Sequence, residues 1–199
     1  MLVHLRRSFT MALMCLVVFG FCYTVAGTGV AQVFFNFQAN GSLTSHGSLL
    51  VGQNWTSPKF FHGRPDDAGP YAANTAKNIA GGDNPLVANG HSGSSGATNL
   101  GPRSAVLLAN TEALVAYWHS MGVTPTPDLV TTSGSGYDPD ISPLDALVQI
   151  PMVARATGRS PAVLRALIAR ETHPAQFGFL GASYLNVLQL NEALANLGR

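Results

Sequence analysis

From Phe9 to Phe35 the chain reads FTMALMCLVVFGFCYTVAGTGVAQVFF, with no charged side chain in the run. As a helix of roughly 27 residues it would reach about 40 Å, more than the ~30 Å hydrocarbon core of a bilayer. Charge flanks it on one side only. His4, Arg6 and Arg7 precede it, whereas Asn36, Gln38, Asn40, Gly41 and Ser42 follow it. The excess of positive charge before the run keeps the N-terminus in the cytoplasm and sends the rest across the membrane. The expected organisation is therefore a short cytoplasmic N-terminus (1–8), a transmembrane helix (9–35) and one extracytoplasmic domain (36–199).

Gly20, Thr24, Gly27 and Ala31 fall at i, i+4, i+7 and i+11, which lines small side chains along one stripe of the helix. Lipid gives helices no hydrophobic drive to associate, so association depends on close backbone approach, which small residues permit. The stripe is expected to dock on another membrane helix. The competing reading is a secretory signal, with Gly29-Val30-Ala31 before Gln32 as the cleavage site. The apolar run continues past that site through Val33, Phe34, Phe35 and Phe37, which favours an uncleaved anchor.

Removing the anchor leaves about 160 residues, enough for one domain with its own core. Of the 11 Lys and Arg residues, Arg6 and Arg7 precede the run, which leaves 9 against 10 Asp and Glu. A near-neutral domain without a basic run argues against nucleic acid as a partner. Charged residues make up 11 % of the chain, and 21 Gly and 12 Pro accompany them, which suggests a loop-rich domain partly covered by something else. Both cysteines, Cys15 and Cys22, lie in the apolar run, so the domain cannot rely on disulfides.

Along the domain, Asn40-Gly41 signals a turn. Ser48 to Gln53 reads as a short strand. Phe61-His62-Gly63-Arg64-Pro65 could be a binding loop. The structural alternative, which is favoured, has Phe61 packed inward, Gly63 in a tight turn and Arg64 bonded to nearby carbonyls. Pro70 to Gly101 reads as loop, marked by Asn89-Gly90, Gly93 and Gly96, with His91 solvated. Ser104 to Met121 reads as a helix with Leu107, Leu114, Trp118 and Met121 on one face and Gly122 as its stop. Asp128 to Thr132 reads as a strand leading into the turn-rich stretch Ser133-Gly134-Ser135-Gly136-Tyr137-Asp138. Ser142-Pro143-Leu144-Asp145 is a helix start, with Ser as cap, Pro at the first position and a carboxylate in the first turn. Pro151 is expected to kink or restart that helix. Ser160-Pro161 repeats the start signal. Val187, Leu190, Leu194 and Leu197 mark a last amphipathic helix, after a turn from Phe177 to Tyr184. The fold class is α+β.

No Walker A sequence is present, since no Lys follows the glycines of Ser133 to Gly136. The 6 histidines form no HxxxH or HExxH pair. No G-x-S-x-G element surrounds a serine. Ser133, His62 and Asp138 could form a triad only on paper. Asp138 and Asp140 could hold a cation, although a solvated turn is the simpler reading. The residues describe a single-pass protein with an outside domain and no visible catalytic, cofactor or metal site.

The ordered set QANGSL, GSLLVGQ, FFHGRP, PYAAN, TNLGP, DLVTTSGSGYDPDISP, QIPMVARATG and LNVLQLNEAL resembles the C subunit of the Kdp high-affinity potassium-transporting ATPase. The resemblance covers nearly the whole chain. Its most specific parts are Phe61 to Pro65 and Val130 to Pro143, which includes Ser133, Gly134, Ser135, Gly136, Asp138, Ser142 and Pro143. The chain departs from the family in three places. Tyr23-Thr24 stands where a Tyr-Pro pair is usual, Asp66-Asp67 follows the HGRP loop, and the loop from Asn74 to Gly96 is longer. The resemblance implies a membrane complex with a channel-like potassium-translocating subunit and a P-type ATPase subunit, in which ATP and potassium are handled by the complex. It implies that the C subunit stabilises assembly and raises the ATPase subunit's affinity for ATP. The charge asymmetry places the domain away from ATP, so such an effect is expected to be indirect or to run through the short N-terminal end. Two alternatives remain: an exported binding domain with a cleaved leader, and an exported hydrolase using His62 and a serine.

Overall fold

The computed structural model describes residues 2–53, 55, 57–65 and 98–197. Asp66, Asp67, the Asn74–Gly96 loop, Asn89-Gly90 and His91 lie outside the described residues. The chain divides into two compact units, Met1–Leu43 and Thr44–Arg199.

The first unit is dominated by one helix, α1 (Leu2–Phe34), of 33 residues and mean hydropathy 2.1 over its most apolar window. It is long and apolar enough to cross a membrane. It starts before Phe9 and carries His4, Arg6 and Arg7 on its first turns, because Leu and Arg are good helix formers. From Leu16 to Cys22 it widens into a π-helix, closed by the Tyr23 N–H donating to the Val18 carbonyl. A single π stretch is a recognised source of helix irregularity. It ends at Cys22, just before the Tyr23-Thr24 pair whose Thr24 stands where the related pattern has proline. The Thr24 hydroxyl donates back to the Gly20 carbonyl and also meets the Phe21 carbonyl at 3.0 Å. A backward hydroxyl bond of this kind bends helices without a proline. The short helix α2 (Asn36–Ala39) follows, and Asn40-Gly41 forms the expected turn with Gly41 at φ +85°.

The second unit is built mainly from helices. They are α3 (Ala105–Ser120), α4 (Pro143–Thr157), α5 (Pro161–Glu171) and α6 (Val187–Asn196). Strands β1 (Asp140–Ile141) and β2 (Leu185–Asn186) pair antiparallel, Asp140 opposite Asn186 and Ile141 opposite Leu185. The unit thus mixes helix and strand, with helix predominant among the described residues. Its core joins Ile150 and Val153 of α4, Leu164, Leu167 and Ile168 of α5, and Leu190 and Leu194 of α6 to Leu114 and Trp118 of α3. Full burial of each aliphatic side chain is worth about 1.5–3 kcal/mol.

The helix starts form as their sequence signals indicate. The Ser142 hydroxyl accepts from the Asp145 N–H, and the Asp145 carboxylate accepts from the Ser142 N–H at 2.8 Å, a complete capping box. Ser160 caps α5 and Asn186 caps α6. Two other expectations are corrected and one is narrowed. Of a kink or a restart at Pro151, the restart does not occur, since α4 runs through it. The proline is exposed, while Ala146, Ile150 and Val153 hold both halves of the helix in the core. Asp128 to Thr132 is not a strand. Asp128–Val130 is a 3₁₀ turn started by Pro127, and it buries the consecutive residues Leu129 and Val130, which a strand would send to opposite faces. Ser48 to Gln53 is a series of turns rather than a strand. Its backbone is held by scattered bonds, among them the Gly52 N–H on the Tyr137 carbonyl and the Asn186 amide on the Leu49 carbonyl.

Candidate functional site

The Phe61–Pro65 loop is gripped from two helices. The Phe61 N–H donates to Asn191 Oδ1 and its carbonyl accepts from Asn191 Nδ2, both at 2.8 Å. His62 is held the same way by Gln149, its N–H donating at 2.8 Å and its carbonyl accepting at 2.9 Å. A primary amide presents one acceptor and one donor side by side, as a neighbouring strand's backbone does. Asn191 of α6 and Gln149 of α4 therefore act as two one-residue β-partners for a buried extended segment. Sequence reading missed both. The available signal was an amide placed among the core-facing residues of each helix: Gln149 beside Ala146, Ile150 and Val153, and Asn191 beside Leu190 and Leu194.

Phe61 and His62 are completely enclosed. The His62 ring lies 5.6 Å from the Trp118 ring, and its Nε2 sits 3.0 Å from the Ser57 carbonyl. A carbonyl only accepts, so Nε2 carries the hydrogen. Nδ1 has no partner among the described residues. Burial pushes the His62 pKa below its ordinary 6.5, partly offset by the bond to Ser57. The ring is thus a neutral core group. Trp118 donates its own indole N–H to the Leu129 carbonyl at 2.9 Å, which ties α3 to the 3₁₀ turn.

Arg64 connects this loop to the serine- and glycine-rich turn. Its guanidinium donates to the Thr131 carbonyl at 3.2 and 3.3 Å, to the Thr132 carbonyl at 3.1 Å and to Asp138 Oδ2 at 3.4 Å. The favoured structural reading of Phe61 and Arg64 therefore describes their geometry. It fails for Gly63, whose backbone is not in the left-handed region and where an added methyl would find only ordinary contacts at 3.8 and 3.9 Å. The glycine that matters at this junction is Gly52. A methyl there would fall 2.8 Å from the Asp138 carbonyl oxygen. Pro65 is buried at the end of the described part of the loop.

In the turn itself, the Ser133 and Ser135 hydroxyls bond each other at 2.9 Å, Gly134 is open and Gly136 is buried. Ser133, His62 and Asp138 do not come together as a triad. His62 bonds Ser57, Ser133 bonds Ser135 and Asp138 bonds Arg64. Asp138 also accepts from the Asp140 N–H, and Asp140 accepts from Asn186. Burial raises the Asp140 pKa above 3.8, the Asn186 bond opposes that, Asp138 adds to it and His173 opposes it. Ser142 and Pro143 serve as cap and first residue of α4. In the first unit, Gly20 lies inside the π stretch, while Thr24, Gly27 and Ala31 lie on the α-helical turns after it. The position of Gly27 is open, with nothing within 4 Å of an added methyl. The arrangement around Arg64 is thus a tie between loop, 3₁₀ turn and strand, with polar groups satisfied by one another.

The family model described as K+-transporting ATPase, c chain, matches residues 5–196. The chain belongs to the KdpC family. A potassium-transporting ATPase KdpC subunit of Methylorubrum populi is 40 % identical to it, over 100 % of both chains. The KdpC subunit of Caulobacter vibrioides is 42 % identical over 98 % of this chain and 93 % of its own. That of Methylobacterium nodulans is 39 % identical over 99 % and 98 %. The amide clamps and the Arg64 tie thus belong to a unit that the family match covers, save its last residues.

Proposed function

We propose that this chain is the non-catalytic accessory subunit of an ATP-driven potassium uptake complex. It holds together a potassium-translocating, channel-like subunit and a P-type ATPase subunit in the inner membrane. The observation that carries this reading is the family match over residues 5–196, which takes in the apolar helix and the second unit alike. The geometry of the Phe61–Pro65 loop favours a scaffold over a reaction centre, because its histidine is neutral and enclosed and its arginine is bonded to three groups of its own chain.

Helix α1 anchors the chain, with Arg6 and Arg7 on the cytoplasmic side and the second unit extracytoplasmic, as the charge asymmetry favours. The stripe of Gly20, Thr24, Gly27 and Ala31 packs against a helix of the translocating subunit, and the second unit braces that subunit's outer mouth. ATP and potassium are handled by the partners. Any rise in ATP affinity reaches the ATPase subunit through assembly or through the short N-terminal end.

Deletion of the chain should abolish growth at limiting external potassium and lower the yield of the co-purified partner subunits. Growth and yield at wild-type level would overturn the proposal. Replacing both Gly20 and Gly27 by Leu should release the chain from the detergent-purified complex. Retention at wild-type stoichiometry would remove the stripe from the account.

A further inference from the structure

Helices α4, α5 and α6 carry three carboxylates between them, and each is already committed. Asp145 closes the α4 capping box and receives the Thr126 hydroxyl, Glu171 pairs with Arg170 at 2.8 Å, and Glu192 pairs with His46 at 2.9 Å. The cations of this region are not balanced in the same way. No Asp or Glu occurs between Asp145 and Glu171, a stretch that holds Arg155, Arg159, Arg165 and Arg170. Of these, only Arg170 pairs with a carboxylate among the described residues.

Arg155, Arg159 and Lys59 line two adjoining hollows that meet at Ala156. The first, of about 290 Å³, is lined by Pro58, Met121, Met152, Arg155 and Ala156. The second, of about 310 Å³, is lined by Lys59, Phe60, Ala156, Arg159, Leu194 and Ala195. Among the described residues no carboxylate lines either one. Arg155 donates to the Met121 carbonyl at 3.3 Å and Arg159 to the Leu197 carbonyl at 2.8 Å. A guanidinium has five N–H donors, so each keeps capacity for a further acceptor. Lys59 is exposed, and its ammonium pairs with no carboxylate among the described residues. Three cations without a carboxylate repel one another, and an anion relieves them. Guanidinium planes match a carboxylate through paired bonds. The shape narrows the source of that anion. The large apolar side chains here, Phe60, Met121, Met152 and Leu194, are buried or half-buried, so the surface is concave and nothing apolar projects from it. A concave apolar floor receives a side chain that projects from a partner, whereas insertion into a bilayer needs apolar side chains projecting from the protein itself. Methionine adapts such a floor to its guest, and an apolar centre with a charged rim is the usual anatomy of a protein interface.

We infer that the two hollows dock a segment of another protein that carries carboxylates beside projecting apolar side chains. The carboxylates meet Lys59, Arg155 and Arg159, and the apolar side chains enter on either side of Ala156. All the residues involved belong to the second unit. Under the accessory-subunit reading the segment belongs to another subunit of the complex, and the inference rests on that reading for the partner's identity.

The test places photoreactive benzoylphenylalanine in the full chain, within its own cells, at Ser120 or at Ala195. Both positions are exposed, the first on the rim of one hollow and the second on the rim of the other. After illumination the chain is purified with whatever it holds, and the adducts are mapped by mass spectrometry. The expected result from both positions is an adduct to a partner subunit, within a segment that contains Asp or Glu. Lys59→Glu should lower the adduct yield about tenfold, because a like charge then faces the partner's carboxylates, and Lys59→Arg should preserve it. Co-purification of partner subunits with the unmodified chain is measured in parallel. Partner subunits present without an adduct at either position overturn the docking surface and leave the accessory reading intact. An adduct to lipid, or one confined to the chain itself with its own terminus included, also overturns the docking surface. So does a captured segment without carboxylates, or a yield that Lys59→Glu leaves unchanged. Should no partner subunit co-purify at all, the accessory reading and the inference fall together.

Discussion

At the scale of single residues, the amides Gln149 and Asn191 dominate. Each satisfies both backbone groups of one buried residue, so truncation strands an N–H and a C=O that water cannot reach. Gln149→Ala and Asn191→Ala should each lower stability by about 2–4 kcal/mol, read from urea titration of the detergent-solubilised chain through Trp118 emission. Gln149→Glu should cost at least as much despite its nearly unchanged shape, because a carboxylate cannot donate to the His62 carbonyl. His62 gives the pH dependence. Its folded-state pKa lies below 6.5, so the unfolded chain binds the proton more readily. The stability contributed by the neutral ring is fully present above pH 6.5. It is lost as pH falls from there through the folded-state value. His62→Gln should flatten this slope in titrations monitored by the same emission. Asp140, raised above 3.8 by burial, works with the opposite sign: its contribution is present below pH 3.8 and lost as pH rises. Asp140→Asn should remove that opposing slope.

At the scale of elements, the start of α4 is more than an N-cap. Asp145 is buried, accepts from the Ser142 N–H and also receives the Thr126 hydroxyl. Ser142→Ala should cost about 1 kcal/mol, the usual value of a lost cap. Asp145→Ala should cost about 2–3 kcal/mol, because two donors lose a buried acceptor at once. Thermal unfolding of the two variants side by side checks the order. The starts at Ser142-Pro143 and Ser160-Pro161 were legible in the sequence because capping is decided within four residues. The amphipathic faces of α3 and α6 were legible for the same reason, since one period of the helix contains the information. The errors arose where distant partners decide. Leu49-Leu50-Val51 and Leu129-Val130 are apolar runs of strand-like composition, yet no neighbour among the described residues supplies a ladder for the first, and Pro127 with Trp118 winds the second into a turn. The inward Phe61 and the carbonyl-bonded Arg64 were legible as a structural loop. Their holders were not, since Gln149 and Asn191 lie 87 and 130 residues further along the chain. Gly52 was likewise silent until its closeness to Asp138 was known. Gly52→Ala should push this segment away from Asp138 and destabilise the domain by about 1–3 kcal/mol, measurable in the same titration.

At the scale of the whole molecule, a long apolar helix and a cysteine-free domain are joined by a short neutral tether, and membership of the KdpC family gives both a common context. The domain has no disulfide to lock it, so its closure depends on side chains from its far end. Removing α6 from the full-length chain should therefore leave residues around Phe61 open to limited proteolysis, while the cleavage pattern of α1 in vesicles stays as it is in the intact chain. The amide grip has a consequence in time as well. A ribosome releases Phe61 and His62 long before it has made Gln149, and longer still before Asn191. Through that interval the early segment has nothing to close upon, and the nascent polypeptide must be kept from pairing with something else. Maturation thus waits for the turns of α6 that carry Asn191, and a chain stalled short of them is a natural target for quality-control proteases.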